Sequence, residues 1–197
     1  IVDISNSSYS LKPSIICSGV EDIGFIDSCQ QYFIKVKENG VYDLNDVKLE
    51  ESLTFILIGY LKMAIPNIQV EDEKSLNKVV EIVNSLKMID LTIFSTNEDI
   101  LRSAKQKMPF ARLGYIPTNV TKFETYDEIG TLCHKAGEAY ANILLIDASL
   151  LTKESIIKAT SLGYSIVANA KDGANCSVIS SALSGCGLIL VSFNRDS

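Results

Sequence analysis

Three apolar runs in the last third of the chain constrain its fold more than any other feature. Asn142–Ile146, Tyr164–Ala168 and Gly187–Ser192 are rich in β-formers, and helical patterns lie between them. Strand-length apolar runs separated by amphipathic segments of about ten to fifteen residues mean βαβ units and a parallel sheet. Ser161-Leu162-Gly163 and Gly185-Cys186-Gly187 put glycine where a left-handed helix end is wanted, directly before the next strand.

The same alternation runs back to residue 14. Strands are expected at Ser14–Gly19, Tyr32–Lys37, Asn67–Glu71, Asp90–Ser95 and Ala111–Ile116. Helices are expected at Val20–Gln31, Glu51–Ala64, Asp72–Met88, Asn97–Met108 (with Thr96 as N-cap) and Thr125–Glu138. Val41–Glu50 reads as a short polar connection, and residues 1–13, polar and closed by Pro13, as an arm or linker stub. Eight strands alternating with helices imply an α/β fold, a compact (β/α)8 barrel of the TIM type over residues 14–197. At about 23 residues per unit, against ~250 for a typical whole barrel, its βα loops must be short. The chain opens at Ile1 with no leader pattern, which reads as a piece of a longer protein.

Charge narrows the partners. Eighteen basic against 24 acidic residues give −6, spread along the chain, which argues against a nucleic-acid footprint or a polybasic membrane patch. No apolar run approaches the length of a membrane span. The five cysteines form no CxxC and no metal-ligand spacing, so they read as buried small hydrophobes. His134, the single histidine, falls within an outer helix and is expected on the surface. The helix Glu51–Ala64 is apolar almost all round. Either neighbouring helices cover it, or it forms a homo-oligomer or interdomain contact.

Nearly the whole chain from Ser14 resembles the glycerophosphodiester phosphodiesterase family. The tail, with Leu150-Leu151-Thr152, Gly163 and a final strand after Gly187, follows the closing pattern of that family. The resemblance aligns Cys17-Ser18-Gly19 with a His-Arg-Gly strand end. Phe33 and Lys35 fall on a Glu-x-Asp pair, and Ile68-Gln69-Val70-Glu71 on Ile-Glu-Ile-Lys. The second histidine of the family has no counterpart between Val41 and Glu50.

What the resemblance implies is a divalent cation on three carboxylates at the C-terminal rim, with two histidines moving protons. Phe33, Lys35 and Gln69 replace the carboxylates, and hard cations want carboxylate oxygens. Cys17 replaces one proton-transfer group, each of which is typically worth ~10²–10⁴ in rate. The expectation is therefore a catalytically inactive barrel needing no cofactor, a scaffold or binding domain within a larger assembly. Barrels of this kind are attached to cell-surface and phage tail or baseplate proteins that meet glycerophosphate polymers or glycans. The alternative is an active phosphodiesterase with relocated ligands, using Mg²⁺ or Ca²⁺ on the acidic residues after strand ends: Glu21, Asp22, Asp43, Asp46, Glu71, Asp72, Asp147 and Asp172. Cys17, Lys35, Tyr42 and Tyr115 are its available proton-transfer groups. A third reading, a glycerol-phosphate-sensing regulator, wants a phosphate pocket at Lys171 and Arg195. Asp147, Lys171 and Arg195 are the candidate ligand-binding residues.

Overall fold

A computed structural model describes residues 14–19, 31–60, 64–172 and 188–193. The strands are β1 (Ser14–Gly19), β2 (Gln31–Lys37), β3 (Gly40–Tyr42), β4 (Ile65–Gln69), β5 (Thr92–Ser95), β6 (Arg112–Tyr115), β7 (Ile143–Asp147), β8 (Ser165–Asp172) and β9 (Leu188–Phe193). The helices are α1 (Leu53–Tyr60), α2 (Glu73–Ser85), α3 (Glu98–Lys107), α4 (Tyr126–Glu138) and α5 (Lys153–Ser161). The sheet runs β1-β9-β8-β7-β6-β5-β4-β2, all parallel, and β1 also pairs with β2, so it closes into an eight-stranded barrel. The expected (β/α)8 architecture is the one observed.

The interior is built from alternate strand residues. Ile16, Phe33, Phe94, Leu145, Val167 and Leu190 form a buried cluster drawn from six different strands. The residues between them, such as Ile34, Ile93 and Leu144, join the second core that the helices cover. Phe33 and Phe94 meet at 6.1 Å with tilted rings, a favourable edge-to-face arrangement. Gly114 makes room for the Phe94 ring, which a Cβ there would overlap. Lower in the barrel, Asn67 donates to Gln31 at 3.0 Å and Arg112 to Thr92 at 3.0 Å, so the buried amide and hydroxyl are paired.

Several expectations need correction. Val41–Glu50 is more than a polar connection. The chain turns at Glu38-Asn39, returns as the antiparallel β3, and forms a further bridge between Tyr42 and Lys48. The helix expected over Glu51–Ala64 begins at Leu53, because Ser52 caps it by accepting from Phe55 N; residues 61–63 of that expectation lie outside the described residues. Phe55 and Ile58 on its outer side are exposed. Thr96 does not cap α3; Asn97 does, accepting from Asp99 N, because the Thr96 hydroxyl is engaged by Glu71. The strand expected at Asn67–Glu71 starts earlier, at Ile65, and carries Pro66 within it. The helix expected at Val20–Gln31 lies outside the described residues except for Gln31, which belongs to β2.

Three helices end alike. In α2, α4 and α5 the residue past the cap is left-handed and both carbonyls of the Schellman pattern are satisfied. That residue is Lys87, Tyr140 and Gly163 in turn; only the last was legible as glycine. Among the described residues no helix is long and apolar enough to cross a membrane.

Two predictions concern these positions. Gly114→Ala, driving a methyl into the Phe94 ring, should destabilise by about 1–3 kcal/mol in urea unfolding. Tyr140→Gly, which removes an exposed side chain from a left-handed backbone, should stabilise by about 1 kcal/mol in the same assay.

Candidate functional site at the barrel mouth

The C-terminal rim is where a barrel of this kind keeps its chemistry. Here it is closed over at the β1–β2 side. Ser18, 1 % exposed, donates to the Phe33 carbonyl at 2.9 Å and accepts from Leu44 N at 2.9 Å. That pins the segment after β3 to the mouth, and Leu44 packs onto the interior cluster. Asp43 holds the turn by accepting from Asn45 N and Val47 N, both at 2.9 Å; its Oδ2 is buried and unpaired.

The positions aligned with metal carboxylates do not hold carboxylates, and their surroundings fit the residues present. Phe33 is fully buried in the interior cluster and offers no donor atom. Lys35 is largely covered, at 17 % exposure, with its ammonium 3.2 Å from Asp46 Oδ1. Lys37 reaches the same oxygen at 3.1 Å and lies 4.4 Å above the Tyr42 ring. Hydrogen bonding from Lys37, joined by the Lys35 ammonium, outweighs burial and lowers the Asp46 pKa. Gln69 stands level with Lys35 in the β2–β4 register and donates to Glu71 Oε1 at 2.8 Å. A divalent cation would find an aromatic ring, an ammonium and a neutral amide there. These residues do not fit a metal.

Among the described residues, Glu71 is the rim carboxylate with the most hydrogen-bond donors around it. Besides Gln69 it accepts from Ser95 Oγ at 3.1 Å, Thr96 N at 3.0 Å and Thr96 Oγ1 at 2.5 Å. Across the mouth, Asp147 accepts from Ser149 N (3.0 Å) and Ser149 Oγ (2.8 Å), and pairs with Lys171 at 2.7 Å. Lys171 reaches it from a β-bulge in β8: the β9 register skips a residue between Asn169 and Lys171, and Lys171 is left-handed at φ 67°. Burial works to raise the Asp147 pKa, but Lys171 and Ser149 outweigh it and the net shift is downward.

Among the described residues, the acidic side chains expected after strand ends do not converge. Asp46 faces two lysines, Glu71 the β5 end, Asp147 its own loop and Lys171, while Asp72 caps α2 through Ser75. Among the described residues no group of three His, Cys, Asp or Glu side chains could hold a metal. Glu21, Asp22 and Arg195 lie outside the described residues. Cys17 points away from the mouth into the outer core, and its sulfur is disulfide-bonded, unlike the free buried thiol expected. Cys133 is such a thiol, its pKa pushed up to about 11 by burial. His134 is exposed on α4 beside Glu138, and Tyr115 is buried with its hydroxyl pKa raised by desolvation and by Glu98. Neither belongs to the mouth. Sequence reasoning missed the Asp46 bridge, whose one signal is an acidic residue a few positions beyond a lysine-bearing strand and a turn.

No protein-family model matches the sequence, and no curated protein does at a significant level. Solved structures do match. A phosphodiesterase from Oleispira antarctica, solved with the product sn-glycerol-3-phosphate, superposes with a TM-score of 0.66 at 14% identity, covering 93% of this chain and 94% of that one. A glycerophosphodiester phosphodiesterase from Agrobacterium tumefaciens gives 0.64 at 14% identity, with 91% and 96% covered. One from Parabacteroides distasonis gives 0.59 at 11% identity, with 92% of each chain covered. The fold is that of the glycerophosphodiester phosphodiesterases. At such identities the likeness speaks for the fold alone.

The Asp147–Lys171 pair gives a pH prediction. A depressed carboxylate contributes stability that is present above its unfolded pKa and lost as pH falls through the folded value. Lys171→Met should therefore raise the Asp147 pKa in a ¹³C NMR titration. Its stability cost, about 1 kcal/mol or less for a pair this exposed, should vanish in acid.

Proposed function

We propose that this chain is a non-hydrolysing barrel of the glycerophosphodiester phosphodiesterase fold, serving as a binding or assembly domain of a larger protein. The observation that carries the reading is Lys35. By the family resemblance it stands in the place of a metal carboxylate, and its ammonium is held by Asp46. A rim arranged in this way repels a divalent cation, and Phe33 below it is part of the packing. The proton-transfer side is as poorly furnished. Ser18 is fully engaged between two backbone groups, and Tyr115 faces the outer core. Without a metal and without a positioned acid and base, the large electrostatic contribution to phosphodiester cleavage is missing. What such a rim retains is recognition. The partners that fit this reading are a glycerophosphate polymer, a glycan or another subunit.

The test is release of glycerol 3-phosphate from glycerophosphocholine with Mg²⁺, Ca²⁺ and Mn²⁺ in turn. The expected outcome is no release above the protein-free blank. Metal-dependent release that disappears in a Glu71→Ala/Asp147→Ala variant would overturn the reading in favour of a relocated active site.

A further inference from the structure

Lys35 and Lys37 project from the same face of β2 and share one carboxylate oxygen, Asp46 Oδ1, at 3.2 Å and 3.1 Å. Two ammonium groups converging on one oxygen is how a protein holds a bound anion, and here the anion belongs to the chain itself. Asp46 is poorly suited to a permanent structural place. Its side chain is 57% exposed, so solutes can compete for its partners. Its backbone is left-handed at φ 62°, a conformation a side chain adopts at a cost. Lys35, by contrast, is largely covered, its side chain 17% exposed, with Gln69 level with it in the register. Lys35 is therefore the fixed part of the contact, Lys37, itself 47% exposed, is held over the Tyr42 ring, and the carboxylate is the displaceable half.

We propose that the Lys35/Lys37 pair is a binding site for a doubly charged oxyanion, a phosphate monoester or its equivalent, which Asp46 occupies as an internal competitor. The proposal rests on the non-hydrolytic reading above and gives that rim its ligand class. A dianion carries more charge to the two ammoniums than the single carboxylate does. The tethered carboxylate acts at an effective concentration of the millimolar order, which the external ligand must exceed. The Tyr42 ring beneath Lys37 adds cation–π attraction that keeps that ammonium in place when Asp46 leaves.

The test is calorimetric titration with inorganic phosphate, with ionic strength held constant by NaCl so that general screening is unchanged. Asp46→Gly removes the competing carboxylate while favouring the left-handed backbone, so the turn persists; thermal unfolding checks that it does. The expected result is an apparent Kd for phosphate about tenfold lower than in the native protein, as removing an occupied state requires. Adding Lys35→Gln should abolish the gain. Equal affinity in the native protein and Asp46→Gly, or a gain that survives Lys35→Gln, would overturn the site. Inorganic phosphate is not a diester, so the outcome is independent of hydrolysis. Glycerophosphodiester turnover by Asp46→Gly would count against the non-hydrolytic reading and leave the anion site standing.

Discussion

The interior of an eight-stranded barrel is just wide enough for side chains to fill, and everything at the mouth depends on how they fill it. Here two aromatic rings meet at the centre, Phe33 from β2 and Phe94 from β5, and Gly114 on the adjoining strand carries no side chain because the Phe94 ring occupies that space. An aromatic ring at position 33 places apolar volume where the sequence resemblance led a carboxylate to be expected. Once it is there, a charged group beside it loses hydration and must find an internal partner. Lys35 finds Asp46, Gln69 finds Glu71, and Ser18 is taken up by two backbone groups. The polar chemistry of the rim follows from the packing beneath it.

Asn119 in the loop before α4 apart, backbone conformation separates two groups of left-handed residues by face. Lys87, Tyr140 and Gly163 all lie on the side where helices hand over to strands, and each closes a helix. Asp46 and Lys171 lie on the opposite side and each carries an ion pair. The first group satisfies carbonyls that the helix geometry leaves open. The second group aims side chains, one through a turn and one through a bulge in β8. Strained backbone that does no capping is more telling about function than strained backbone that does.

The barrel was legible because its signals are local and repeated. Apolar runs of strand length, helical patterns between them and polar turns agree over most of the chain, and the strands fall within a few residues of expectation. β3 was not legible as a strand because Gly40-Val41-Tyr42 is too short to show alternation, although the turn before it was visible. Thr96 looked like a cap because threonine commonly is one; a contact with Glu71, 25 positions away, redirected it. The same holds for the candidate site. That Phe33, Lys35 and Gln69 stand where carboxylates were expected could be read directly. Where Asp46, Glu71 and Asp147 turn could not, because each pairing depends on strand register and on one bulge. Sequence similarity at 11–14% with the fold retained makes the same point, since a barrel requires inward and outward alternation more than particular residues.

The hairpin of β2 and β3 has a mechanical consequence for the barrel wall. β3 takes the upper part of the edge of β2 that faces β1, leaving β1 and β2 two backbone register pairs, Ile16 with Gln31 and Cys17 with Tyr32, backed by the Ser18 and Tyr32 hydroxyls donating to the Phe33 and Gly19 carbonyls. On its other edge β2 is zipped to β4 along Gln31–Lys35. The closed cylinder therefore has a seam. Under thermal agitation the sheet opens at its short overlaps, this one and the equally short one between β6 and β7, so amide exchange should enter there while the β7–β8–β9 wall stays shut.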